Sequence, residues 1–448
     1  MTRLLQRSAL PAFLLLCLVL GGSSQGVWTN AALQLLAALL LAWVTVAPAP
    51  ERISRAGRLL GLLVIGAVLL ALAQLVPLPP SLWTALPGRE PVAAGYALLG
   101  QDLPFLSLSM SPYESLAAAY ALIPPVAVLA GMLALRGYRE SWVAGAILLG
   151  AFASIILGAV QVVGSGSAAW AYFYRFTNTG AVGFFANRNH MATLLVAALP
   201  FAAAMFASGH LQVRGRGGTF AMLVAGGTAF ILVLVGLLLN SSLAAIALAA
   251  PVVVFSALIP PAGWRWRRAL FPLALVAVVA SAVALASASG RASIAGSPDL
   301  GSLYSRGEMW ETTLAAISNS LPFGTGLGTF AKIYVLHENP AFTDATFINH
   351  AHNDYLELLL ETGIPGLLLL IAFLAWWGWR VAAVWRAPFS SHFAKAATIA
   401  SAAILAHSIV DYPLRAAAIA AVLAACLAMM AQPPRRPRDE QPRHVRIA

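Results

Sequence analysis

Apolar runs of about twenty residues recur from one end of this chain to the other, and they constrain its fold more than any motif does. A helix of roughly 20 apolar residues crosses the ~30 Å hydrocarbon core of a bilayer and satisfies its own backbone polar groups there. Windows of this kind fall near 8–22, 27–48, 58–76, 116–135, 141–163, 190–208, 219–239, 242–259, 269–288, 364–385, 394–411 and 415–431. They predict an all-α polytopic membrane protein with 12 spans. Composition agrees: 60% of residues are hydrophobic, 10% are charged, and the mean hydropathy is +0.82. The first run is short and carries Arg3 and Arg7 at its start, like a secretory signal. No small-residue cleavage site follows it and a second span begins almost at once, so it reads as a retained helix.

A net charge of +11 could by itself point to nucleic acid. Its distribution points to a membrane instead. Basic residues gather in alternate loops: Arg3 and Arg7; Arg52, Arg55 and Arg58; Arg136 and Arg139; Arg214 and Arg216; Arg265, Arg267 and Arg268; Arg380, Arg386 and Lys395; and the tail from Arg435. The positive-inside rule then puts both termini in the cytoplasm and leaves no nucleic-acid partner. On this reading residues 1–288 hold nine spans with outer loops at 77–115 and 164–189. Residues 289–363 form one large outer loop, 364–431 hold three more spans, and 432–448 are a disordered basic tail near anionic lipid. The proline-rich and aromatic stretch 77–115 predicts short interfacial helices. Cys17 and Cys426 both fall within spans and offer neither a disulfide framework nor a metal site.

Polar chemistry concentrates at the end of the large loop. His350, His352, Asn353, Asp354, Glu357 and Glu361 fall within 350–366, in a chain that otherwise spends few ionisable groups. Asp354 and Glu357 resemble a capping box, Leu356, Leu359 and Leu360 an apolar face, and Gly363 with Pro365 a stop. That predicts a helix entered at His352, where the helix dipole disfavours imidazolium and leaves a ring able to take a proton. In an extended segment His350 and His352 point the same way. A metal set of His350, His352 and Asp354 is weaker, for want of a distant partner histidine.

The outer segments hold few cations, among them Arg188 in Gly183-Phe184-Phe185-Ala186-Asn187-Arg188 and Arg306 in Ser305-Arg306-Gly307-Glu308-Met309-Trp310. Guanidinium forks suit phosphate oxygens. Taken singly, Arg188 reads as an interfacial anchor and Arg306 as a surface ion pair with Glu308 or Glu311. The run Gly324-Thr325-Gly326-Leu327-Gly328 reads as a tight turn rather than a phosphate loop, since no lysine stands at the P-loop spacing. His407, Asp411 and Arg415 read as a structural His407–Asp411 or Asp411–Arg415 pair.

Together, His352-Asn353 followed by Gly363-Ile364-Pro365-Gly366, Ser305-Arg306 with Trp310, Pro322-x-Gly324-x-Gly326, and Gly183-x-Phe185-x-Asn187-x-Asn189 resemble the bacterial O-antigen ligase and polymerase superfamily. Protein O-oligosaccharyltransferases are included in that group, and the likeness is clearest over about 180–370. It implies a metal- and cofactor-independent inverting glycosyltransferase of the membrane-embedded C type in the bacterial inner membrane. Such an enzyme takes a glycan from undecaprenyl pyrophosphate and joins it to a hydroxyl of lipid A–core, another glycan or a protein, on the periplasmic side. The resemblance makes His352 the base and Arg188 and Arg306 the pyrophosphate ligands. His350, Asn353, Glu361, Trp310 and Asn187 are supporting residues. A flippase of lipid-linked sugars is the alternative from another class; it predicts charges deep in several spans, where only His407 lies.

Overall fold

The computed structural model describes residues 2–24, 26–47, 53–135, 138–164, 169–174, 180–210, 216–260, 298–338 and 347–432. Helices α1 (Thr2–Leu20), α2 (Trp28–Val46) and α3 (Arg55–Ala73) come first. A small layer follows, in which β1 (Pro77–Leu78) pairs antiparallel with β2 (Leu106–Ser107) around the short helices α4 (Pro80–Trp83) and α5 (Glu90–Leu98). These short elements occupy the stretch for which interfacial helices were expected. The span expected over 116–135 is divided into α6 (Pro112–Ala121) and α7 (Ile123–Ala134). Pro124 and Pro125 lack the backbone donors that would carry α6 straight on, and they sit comfortably only in the first turn of a helix.

Then come α8 (Glu140–Gly164), α9 (Arg188–His210), α10 (Arg216–Asn240) and α11 (Leu243–Ser256). The span expected at 269–288 and the basic tail from 433 onward lie outside the described residues. The remaining helices are α12 (Pro298–Ser318), α13 (Phe330–His337), α14 (Asp354–Arg386), α15 (His392–His407) and α16 (Ala417–Ala431), with a 3-10 turn at Pro413–Arg415 between the last two. Six segments are long and apolar enough to cross a membrane: Trp28–Val46, Arg55–Ala73, Pro112–Ala134, Glu140–Gly164, Arg188–Ser208 and Asp354–Arg386. Arg7–Leu20, Gly226–Asn240, Leu243–Ser256 and Ala417–Ala431 are shorter apolar helices. The protein is a multi-pass membrane protein. Among the described residues the expected twelve full-length spans are six, supplemented by shorter helices.

Helix α9 is central, packed by α8, α10, α11 and α15, and it buries Leu194, Leu195, Ala197, Ala198 and Phe201. The alanine-rich α16 packs against α1, α7 and α15. Small side chains let helix backbones approach closely where lipid supplies no hydrophobic drive between them. At the end of α1, a Cβ on Gly21 would lie 2.9 Å from the backbone nitrogen of Ala418. Cys17 and Cys426 are free thiols buried in this packing.

Two poles result. At one, the Ser54 hydroxyl donates to Ala431 O (2.6 Å), Trp376 Nε1 to Ala56 O (3.1 Å) and Arg380 Nε to Met430 O (2.9 Å). At the other, Ala186 N donates to Gly22 O (3.0 Å), Ala418 N to Gly21 O (3.0 Å) and Asp354 N to Ser408 O (2.9 Å). The first pole gathers segments that the charge pattern grouped on the basic side. The second gathers segments it grouped on the other side, and the polar cluster lies there.

Candidate active site

The cluster is built on the entry to α14. Asn353 is its N-cap, and its Oδ1 accepts from Tyr355 N and Leu356 N, each at 3.0 Å. The expected capping box of Asp354 and Glu357 is therefore replaced: one amide oxygen does the capping and frees both carboxylates for other partners. Nor does the helix stop at Gly363. Gly363 adopts φ 59°, ψ −149°, and the chain kinks there and continues to Arg386.

A kink beside Pro365 leaves carbonyls of the preceding turn without helical donors. The glycine loop supplies them: Thr325 N donates to Leu360 O (3.0 Å) and Gly326 N to Glu361 O (2.9 Å), while Ile364 N donates to Pro322 O (2.8 Å). Gln74 Nε2 adds a further donor to Glu361 O at 2.8 Å. A Cβ on Gly363 would lie 2.2 Å from Pro322 O, which is why the two segments can touch only through glycine. The loop is thus a structural brace. The amides of Gly324, Thr325, Gly326 and Leu327 are committed to protein oxygens, in keeping with the turn predicted for the loop.

Within the cluster, Tyr412 organises three imidazoles. The His350 ring stacks on it with centroids 4.0 Å apart, and His352 and His190 meet it edge-on, each at 4.9 Å. The phenol of Tyr412 also meets Asn187 Nδ2, which donates to it at 3.4 Å. Burial, then the charge of Asp411, pushes the Tyr412 hydroxyl up from its ordinary value, so it remains a hydroxyl. His352 Nδ1–H donates to Asp411 Oδ1 at 3.2 Å, and His350 Nδ1–H donates to Glu357 Oε1 at 2.8 Å. Since a carboxylate only accepts, each pair selects the Nδ1–H tautomer and leaves Nε2 with a lone pair. His350 Nε2 accepts from the Ser24 hydroxyl at 3.1 Å. His352 Nε2 has no hydrogen-bond partner among the described residues, and the side chain is 26% exposed. His352 sits at φ 47°, so the two histidines are not alternate residues of an extended strand. They share Tyr412 but turn to different carboxylates. Asp411 is also a negative partner that the helix-entry argument for His352 did not include.

Beside this layer lies a partly buried cation. Arg415 Nη1 is 2.8 Å from Glu361 Oε2, its Nη2 is 3.4 Å from Glu357 Oε1, and its Nε is 3.8 Å from Asp354 Oδ1. The Glu361 contact is one of charge rather than an aligned hydrogen bond. Positions 354, 357 and 361 share one helical face, so a single guanidinium meets all three carboxylates. Asp354 Oδ2 further accepts from the Ser408 hydroxyl (2.8 Å) and Leu414 N (3.2 Å). The pairs expected for this segment, His407–Asp411 and Asp411–Arg415, are corrected. Asp411 holds His352, Arg415 serves α14, and His407 Nδ1 bonds Thr193 Oγ1 at 2.7 Å.

Among the other predicted residues, Trp310 Nε1 donates to Ala351 O (2.9 Å) and so anchors the histidine segment to α12. Glu361 is fully buried as the partner of Arg415. Arg188 opens α9 with an exposed side chain next to Asn187. Arg306 is half-buried on α12, within electrostatic reach of His407. Asp411 and Arg415, which the sequence offered only as a structural pair, and Tyr412 are the site residues that sequence reasoning did not select. Their signal was the packing of a carboxylate, a phenol and a guanidinium into five residues between two apolar runs.

No curated protein matches the chain. Residues 227–371 match the family model described as "O-Antigen ligase". This stretch includes Arg306, Trp310, the glycine brace and the whole histidine segment, and the match supports a likeness to the O-antigen ligase and polymerase superfamily.

Proposed function

We propose that this protein is an O-antigen ligase-like, inverting glycosyltransferase that moves a glycan from undecaprenyl pyrophosphate to an acceptor hydroxyl at the periplasmic face of the inner membrane. One observation carries the reading: the His352–Asp411 pair presents an unoccupied Nε2 at a partly exposed position, at the pole where Arg188 and Arg306 also lie. A donor with a pyrophosphate leaving group needs charge compensation, alignment and a base. In the proposed step the acceptor oxygen attacks the anomeric carbon opposite the pyrophosphate and its proton passes to His352 Nε2. The bond from carbon to the pyrophosphate oxygen breaks, and its electron pair leaves with pyrophosphate. Asp411 holds the ring in the accepting tautomer and meets the imidazolium that forms. Arg188 and Arg306 bind the departing charge, and neither a metal nor a cofactor has a role.

The test is transfer by purified protein from an undecaprenyl-pyrophosphate glycan, with and without core lipid. His352→Ala should abolish transfer while membrane expression persists; retention of most activity sinks the base assignment. Arg306→Ala should weaken use of the lipid donor more than use of the acceptor. Transfer that requires core lipid identifies a ligase, and growth of the donor itself identifies a polymerase.

A further inference from the structure

Ser24, His350 and Glu357 form a second relay in the cluster, to which the proposed glycan transfer gives no step. The Ser24 hydroxyl donates to His350 Nε2 at 3.1 Å, and His350 Nδ1–H donates to Glu357 Oε1 at 2.8 Å. A hydroxyl, an imidazole and a carboxylate thus follow one another in the order, and with the tautomer, by which a base activates a serine nucleophile.

The fold fixes each member. Ser24 follows α1 on a pinned segment: Gly21 O accepts from Ala418 N and Gly22 O from Ala186 N, each at 3.0 Å, and Ser23 O accepts from Asn30 Nδ2 at 3.1 Å. A Cβ on Gly22 would collide with Phe184 O, so the two backbones meet there through glycine. The His350 ring lies on Tyr412, with centroids 4.0 Å apart. Glu357 stands in the first turn of α14, where its Oε2 accepts from Ala351 N at 3.0 Å and Arg415 Nη2 lies 3.4 Å from its Oε1. Accessibility rises along the relay: the Glu357 side chain is 1% exposed, that of His350 15%, and Ser24 is half-buried. A bond that only docked the segment after α1 would not call for a buried carboxylate behind the ring.

We propose that Ser24 is the nucleophile of a Ser24–His350–Glu357 triad that cleaves carboxylic esters, a second activity at the same pole. A carbonyl carbon is the electrophile such a relay suits. It is planar and open to attack from one side, and its alcohol leaves once the imidazolium returns a proton. Ser24 Oγ bonds to the carbonyl carbon as its proton passes to His350 Nε2. The bond from that carbon to the alcohol oxygen breaks, and the alcohol departs with the proton from His350. Water then attacks the acyl carbon, giving a proton to the same nitrogen; the bond to Ser24 Oγ breaks, Ser24 recovers its proton and the carboxylic acid is released. Glu357 acts through His350 as a positioning residue, holding the proton on Nδ1 and meeting the imidazolium.

The experiment treats the full chain in detergent with a fluorophosphonate, which loses fluoride as serine oxygen bonds to phosphorus, and assays hydrolysis of p-nitrophenyl butyrate. Peptide mass spectrometry should place the phosphonyl adduct on Ser24, and Ser24→Ala should lose ester hydrolysis. His350→Ala should slow labelling of Ser24 roughly a hundredfold or more, the loss of a general base; an unchanged rate overturns the triad. Glu357→Gln should lower kcat for the ester by roughly two to four orders of magnitude with KM little changed; a change in KM alone overturns the positioning role. No adduct on Ser24 in the wild-type protein overturns the proposal, and that reading needs no variant to fold. Labelling without ester hydrolysis, or hydrolysis that survives Ser24→Ala, overturns the ester assignment. No arm uses a lipid-linked glycan, so failure here is distinguishable from failure of the proposed function.

Discussion

Arg415→Met is the perturbation that most directly probes how the site is held. It keeps much of the side-chain volume and removes the only cation facing Asp354, Glu357 and Glu361 among the described residues. At separations of 2.8, 3.4 and 3.8 Å, each attraction is roughly 4–6 kcal/mol gross at an effective dielectric constant near 20. Repulsion among the three carboxylates and the desolvation of all four groups offset much of that sum. Measured losses on breaking one buried pair are about 3–5 kcal/mol, because an uncompensated charge stays behind. Glu361 and Glu357 are 0% and 1% exposed, so water cannot easily replace the guanidinium. The variant should therefore lose stability at the upper part of that range, a fall in thermal midpoint of roughly 5 °C for a chain of 448 residues. Tryptophan fluorescence of the purified protein on heating would measure it, with Arg415→Met/Glu361→Gln alongside. Removing one of the stranded carboxylates should recover part of the loss. A single variant that melts with the wild type, or a double variant no better than the single, would refute the argument that Arg415 neutralises the helix entry.

Other outcomes follow from the same geometry. Asp411→Asn keeps the shape beside His352 but no longer selects its tautomer, so kcat should drop by roughly two to four orders of magnitude with a smaller change in KM; equal kcat would deny that the pair is catalytic. Gly363→Ala should destabilise by about 2 kcal/mol or more, since it adds a Cβ at positive φ against Pro322 O. Gly145→Ala, with open space at its Cβ, should be neutral or slightly stabilising in the same melt. Asn353→Ala removes the N-cap and should cost about 1 kcal/mol, read as a lower midpoint, while Asn353→Ser should retain most of it.

The spans were legible because apolarity over about twenty residues is a local property, and so was their grouping into two poles, because basic loops alternate along the chain. Division of one span at Pro124–Pro125 was equally local but was hidden by the continuous apolar run around it. His352 was legible as the residue at a helix entrance, and Gly363 as a break. What the break does was not legible. The carbonyls it frees are met by the glycine loop some forty residues earlier, and a stop and a braced kink look alike in sequence.

The sequence alone thus determined that this is a membrane protein with its polar chemistry in one segment, and that this segment resembles the ligase and polymerase superfamily. Hydropathy, charge alternation and short motifs are all read along the chain. Only the tertiary structure decided how that chemistry is wired. His352 and Asp411 are 59 positions apart and His350 meets Ser24 across 326, separations at which no periodicity carries information. Arg415 read as a partner of Asp411 in the sequence and became instead the counter-ion of three carboxylates because α14 and the turn before α16 are packed together. Low dielectric makes each such pairing decisive in the folded protein and invisible before it.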